Sequence, residues 1–299
     1  MGGLRGVLLA AGTALASLAL AGGGAGAATV AVADGVLVVE AGAGEANRLV
    51  LAGTAEALTI ADAVPLVAGE GCSLGEGAVS CARAGVREVR ILAGDGADGV
   101  VLGPVGIGVA VDGGAGNDVL DASEADRAVR LDGGAGNDAL TGGAGADGLA
   151  GGRGADTVRG GSGDDELTGG SGSDLLAGGA GVDTVTYADR STSVAVSLDG
   201  RRNDGARRER DDVATDVENV VGTSAPDTIY GSHRRNVLVG GGGDDILLGL
   251  GGADRLEGGP GVDVLVGGPG FDALLGGPGN DYCNAGDGGG RVDGCERTG

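Results

Sequence analysis

The sequence predicts an all-β chain wound as a parallel β-solenoid with an irregular β cap, and three observations predict it. Glycine supplies 71 of 299 residues while Tyr, Phe and Trp together supply four, so a thick core of interlocking large side chains is ruled out. A nine-residue unit recurs along most of the chain, a period that fits neither an amphipathic helix nor a coiled-coil heptad. Within each unit an aspartate at the sixth place and an aliphatic residue at the eighth keep fixed positions.

The first segment, residues 1–27, reads as a cleaved export signal: Arg5, an apolar stretch from Val7 to Leu20, then the small residues Ala25, Gly26 and Ala27. The apolar stretch is shorter than a membrane span needs, and no later segment is long and apolar enough to serve. Secretion to an extracellular, oxidising compartment is the expectation. There Cys72 would pair with Cys81 and Cys283 with Cys295, each closing a small loop. A zinc site of four thiolates is the alternative, but it needs cysteines two to four residues apart, a spacing this chain lacks.

Residues 28–112 alternate short aliphatic runs with Gly and Asp, as in Val36–Val39, Leu49–Leu51, Val89–Leu92 and Val109–Val111. They are read as strands that begin the solenoid and cap its open edge, with the Cys72 to Cys81 loop bulging from the cap. Residues 113–187 then form a first array of nonapeptides, 188–221 a connector, 222–284 a second array, and 285–299 a closing tail. The connector's arginine-rich stretch, Arg201 to Arg210, is read as a solvated loop whose charges Asp211 and Asp212 offset.

Aligned on the repeat, the sixth place holds Asp118, Asp138, Asp147, Asp156, Asp165, Asp174 and Asp183 in the first array. The second array supplies Asp227, Asp245, Asp254, Asp263, Asp272 and Asp281. Asp98 stands in a degenerate leading copy, and Asn236 alone breaks the column. These thirteen aspartates of the two arrays are the candidate metal ligands. Glycines at the first, second and fourth places allow positive φ and close backbone approach, so six residues can make a tight turn with carbonyl oxygens directed inward. The last three residues form a short strand whose eighth side chain faces in. Two units make one coil.

Stacked coils bring the aspartates of alternate units to about the 4.8 Å strand spacing, where each like-charge contact costs on the order of 3 kcal/mol at an effective dielectric of about 20. Burying one Leu per unit contributes roughly 1.5 to 3 kcal/mol, less than the ordering of nine glycine-rich residues consumes at about 1 to 2 kcal/mol each. A cation must therefore enter the turns. The donors on offer are carboxylate and carbonyl oxygens, which favour calcium over magnesium and over softer metals. Ions between turns two units apart give about ten sites, roughly +20 against the −24 left once the signal is removed. That acidity argues against nucleic acid as a partner. An extracellular protein or glycan partner stays open.

The repeated Gly-Gly-x-Gly-x-Asp-x-Leu-x units resemble the repeats-in-toxin (RTX) family of calcium-binding β-rolls, over residues 113–186 and 222–284. The resemblance implies a right-handed parallel β-roll whose repeat aspartates and turn carbonyls hold calcium. The segment from Tyr187 to Gly222 also resembles the connector found between two such arrays. Family members often carry an enzyme or pore-forming domain and leave by a C-terminal signal, whereas this chain has an N-terminal signal and little else, so toxin and protease activities are not implied.

One catalytic pattern occurs: Gly71-Cys72-Ser73-Leu74-Gly75 fits the nucleophile elbow of hydrolases. That motif needs a strand-to-helix turn and a histidine base. No helical pattern follows it, and the one histidine, His233, belongs to the second array. The expectation is a non-enzymatic, calcium-dependent structural or interaction protein; a secreted protein bearing a weak hydrolase-like activity in residues 28–112 is the alternative. Assaying that segment for esterase and glycosidase turnover, with Ser73→Ala as control, separates the two.

Overall fold

A computed structural model describes residues 27–42 and 44–299. Residues 1–26, which carry nearly all of the expected export signal, lie outside it. Among the described residues the regular structure is strand, with no helix, and the chain winds as a parallel β-solenoid of about 12 turns.

One face of the solenoid is a single 14-stranded sheet. Its register is unbroken: Val39, Ile91, Val111, Leu131, Leu149, Leu167, Val185, Val220, Leu238, Leu256, Leu274 and Val292 succeed one another as partners on neighbouring parallel strands. The opposite face repeats the pattern, with Leu120, Leu140, Val158, Leu176 and Val213 in one run and Val196, Ile229, Leu247, Leu265 and Cys283 in another. All these side chains except Val292 are buried. The core is thus a narrow ribbon between two sheets, each coil adding one inward residue per face, worth roughly 1.5 to 3 kcal/mol apiece. A one-residue slip would expel the whole set, so the nine-residue spacing fixes the register.

The connector does not interrupt the first sheet. Its last strand, Asn219–Val221, stands between Thr184–Thr186 and Val237–Val239 as an ordinary rung. On the opposite face it makes an antiparallel excursion: Val194–Ser197 against Arg202–Ala206, and that strand against Asp211–Val213, which rejoins Leu175–Ala180. Both arrays therefore share one core.

Residues 28–112 divide likewise. Val36–Glu40, Glu88–Leu92 and Gly108–Asp112 are parallel rungs of the same sheet, and Arg48–Gly53 pairs in parallel with Gly99–Leu102. Around them Ala28–Ala33, Ala57–Ala61, Cys72–Leu74 and Ala78–Ala82 pair antiparallel. Both expected disulfides are present, Cys72 to Cys81 across this hairpin and Cys283 to Cys295 at the far end. They consume all four thiols, which removes the zinc alternative.

Candidate metal centre

Each turn is shaped by how closely its neighbours stack. Gly134 and Gly136, the second and fourth residues of one unit, have φ of +92° and +151°. A Cβ on them would stand 2.1 Å from the Gly114 carbonyl oxygen and 1.3 Å from that of Gly116, on the preceding coil. No side chain fits, so glycine there is a condition of stacking. Gly133, the first residue, opens a different space: its Cβ would lie 2.6 Å from both Asp138 Oδ2 and the carbonyl oxygen of Gly151 on the next coil. The same pairing of an aspartate oxygen with a next-coil carbonyl surrounds Gly160, Gly222, Gly240, Gly249 and Gly258.

All thirteen sixth-place aspartates are buried, as is Asp98. The turns line them up in two rows, in which Oδ1 of one aspartate accepts the backbone N–H of the sixth residue one coil back, except at Asp147 and Asp227, where it accepts from Val129 and Val194 N–H. In one row Asp118, Asp138, Asp156 and Asp174 succeed one another, and after the connector Asp227, Asp245, Asp263 and Asp281. In the other, Asp147, Asp165 and Asp183 follow one another, then Asn236, Asp254 and Asp272. From Asp118 to Asp138 the step is 20 residues; between later neighbours within the arrays it is 18, two units to a coil, and donor-to-acceptor distances run from 2.8 to 3.0 Å.

The second carboxylate oxygen is where the chemistry lies. In Asp98, Asp118, Asp138, Asp156, Asp165, Asp174, Asp183, Asp245, Asp254, Asp263, Asp272 and Asp281 the buried Oδ2 has no hydrogen-bond partner. A buried acceptor left without a partner costs about 1 to 3 kcal/mol, more when charged, and a column of them asks for a cation. Burial first, and then like charge along the row, pushes five of them up clearly: Asp118, Asp165 and Asp254 to about 6, Asp174 and Asp245 to about 7. Among the described residues no three His, Cys, Asp or Glu side chains converge as a metal cluster, so an ion here needs backbone carbonyls beside the carboxylates. That all-oxygen donor set, with orphaned acceptors facing next-coil carbonyls, fits calcium.

Asp147 and Asp227 are arranged otherwise. Asp147 Oδ2 accepts from the Gly143 N–H at 2.7 Å and Asp227 Oδ2 from the Thr223 N–H at 2.6 Å.

The sequence reading missed the residues that end the rows. Asp211, expected only to offset the charges of the arginine-rich stretch, is fully buried: Oδ1 accepts from Asp174 N–H at 3.0 Å and Oδ2 from the Tyr187 hydroxyl at 3.2 Å. The expectation of a solvated stretch from Arg201 to Arg210 holds for its five arginines, which are exposed, but not as a loop: Arg202–Ala206 is a strand whose Asp204 is buried, accepting from the Ser197 and Val213 N–H groups, and the same excursion folds Asp211 back over the first row. Glu218 accepts from Asp183 N–H, Glu296 from Asp281 N–H, and Asp98 from Asn47 N–H. Asp98 holds the sixth place of the degenerate leading copy, but Asp211, Glu218 and Glu296 lie outside the nonapeptide units of the two arrays, so only the pairing of coils reveals them. A third, exposed ladder runs through the fifth place, where Asn117 and Asn137 accept from the next coil's N–H.

Ser73 belongs to the hairpin strand Cys72–Leu74, and its hydroxyl donates to the Ser80 carbonyl at 3.3 Å. This is a β-hairpin and not a strand-to-helix elbow, and His233 sits in a turn of the second array.

The family model of the RTX calcium-binding nonapeptide repeat matches residues 111–126, 130–158, 150–185, 221–256 and 257–292. No curated protein matches the chain significantly.

Proposed function

Because the chain belongs to the family of proteins carrying RTX calcium-binding nonapeptide repeats, we propose that it is a secreted scaffold that becomes a solenoid as its turns take up calcium, and that its role is structural or interactive and not catalytic. The observation that carries this reading is the double row of buried aspartates whose second oxygens lack partners and face carbonyls of the next coil.

Calcium, when bound, supplies the positive charge that lets neighbouring carboxylates stack. The protein's residues do the rest. The sixth-place aspartates whose second oxygens are orphaned present the charged oxygens; the first-place carbonyls present neutral ones; the glycines let coils approach closely enough for both to meet. About ten ions would nearly cancel the −24 left after signal removal. With the signal removed after residue 27, residues 28–112 cap one end and 285–299 the other, leaving the two arrays and the connector 188–221 as one rod. Affinities in the range of extracellular calcium modules, about 10⁻⁴ to 10⁻³ M, would keep the chain unfolded where calcium is scarce and fold it outside the cell.

Equilibrium dialysis of the mature chain against millimolar calcium, with circular dichroism on the same samples, tests this. Several bound ions together with a gain of β-structure are expected. A chain that binds no calcium, or whose spectrum ignores it, overturns the proposal.

A further inference from the structure

The turns are not all alike, and the difference follows one backbone angle. In every turn whose aspartate Oδ2 is orphaned, the second residue has positive φ, from +74° at Leu250 to +111° at Gly277. With the peptide turned that way, the second N–H points away from the aspartate; Gly241 and Gly259, for example, donate to the Gly258 and Gly276 carbonyls of the next coil.

Three turns break this rule together in both respects. The second residues Gly143, Thr223 and Ser232 lie outside the positive-φ region. Their N–H groups turn inward and donate to the sixth side chain, to Asp147 and Asp227 Oδ2 and, at 2.7 Å, to Asn236 Oδ1. The Thr223 hydroxyl donates to Asp227 Oδ1 at 3.1 Å and the Ser232 hydroxyl to Asn236 Oδ1 at 3.1 Å. Two of these turns have a physical reason in the sequence, since a hydroxyl-bearing residue, β-branched in Thr223, resists positive φ that glycine adopts freely.

We infer that the three turns ending at Asp147, Asp227 and Asn236 are closed by their own hydrogen bonds and take no calcium, although they fall within the repeat. An N–H aimed at the carboxylate occupies the oxygen a cation would need and places a positive dipole end where the cation would sit. Thr223 and Ser232 belong to successive turns that make up the first coil of the second array. The ions therefore divide into two sets, one in each array, separated by a coil that hydrogen bonds hold without metal. This rests on the calcium loading proposed above and specifies which turns share in it.

Native mass spectrometry of the mature chain with calcium chloride tests it by counting ions. Asp165→Asn and Asp245→Asn, in turns with orphaned oxygens, should each lower the count by at least one. Asp147→Asn and Asp227→Asn should leave it unchanged. The double change Ser232→Gly with Asn236→Asp restores a second residue free to take positive φ and a carboxylate, and should add an ion; it keeps the test decisive should Asp227→Asn fail to fold. Equal losses at Asp147 and Asp165, or no gain in the double variant, overturn the inference while leaving calcium loading intact. A wild-type chain that binds no calcium overturns the loading itself.

Discussion

Acid should fold the metal-free protein. In the solenoid Asp118, Asp165 and Asp254 hold their protons to about 6 and Asp174 and Asp245 to about 7, against an ordinary value of 3.8, because burial and then neighbouring carboxylates disfavour the anion. Between those values the folded chain binds protons that the unfolded chain has already released, so stability falls as pH rises. The stability of the metal-free coil is fully present below about 3.8 and is lost as pH climbs through 6 to 7. For Asp174, a rise from 3.8 to about 7 corresponds to ~4 kcal/mol, which screening by nearby water reduces to ~2 kcal/mol. Even that single contribution changes the folded-to-unfolded ratio by a factor of about 30. The assay is circular dichroism in chelator from pH 8 to pH 4, repeated in about 1 M salt, where the screening length of roughly 3 Å removes long-range surface repulsion. A gain of β-structure on acidification that survives the salt is expected. In saturating calcium the sign reverses, since protons compete with the metal for the same oxygens. Metal-free protein that stays unfolded at every pH, or folds equally well at pH 8, would refute the reasoning.

Other perturbations give distinct signatures. Asp156→Asn keeps an acceptor for the Asp138 N–H, 2.8 Å away in the native row, while removing one charge; it should stabilise the chelated form by ~1 kcal/mol and raise the calcium needed for half-folding, both read by calcium titration. Gly136→Ala would drive a methyl into the Gly116 carbonyl 1.3 Å away and should destabilise the calcium-loaded rod by more than ~2 kcal/mol in denaturant melts, whereas Gly148→Ala, with nothing within 4 Å, should be neutral or slightly stabilising. Leu167→Ala empties one rung of the continuous column and should cost about 2 to 5 kcal/mol without changing the number of ions bound. Reducing the Cys283 to Cys295 bridge opens a loop of separation 12 and should lower thermal stability by roughly 3 kcal/mol.

The fold was legible in the sequence because its core is one-dimensional. When each unit supplies one inward residue at a fixed place, Leu149, Leu167 and Val185 can be stacked by counting. The carboxylate rows followed for the same reason. What the period could not carry was chemistry supplied from outside it. Asp211 reads as one more charge after an arginine run, and its burial depends on an antiparallel excursion that no repeat encodes. Glu218 and Glu296 close rows with a longer side chain at irregular spacing. The closed turns were half visible: Thr223 and Ser232 announce a change at the second place, but Gly143 has the consensus residue and differs only in backbone conformation. Residues 28–112 were placed by composition alone, which does not distinguish their parallel rungs from the antiparallel hairpins around them.

Metal uptake and folding are proposed to be one event. Titrating chelated, mature protein at neutral pH with calcium, while following β-structure and bound ions in the same sample, tests that most directly. The two signals should rise together over the same concentration range. β-structure already complete before any ion binds would contradict it.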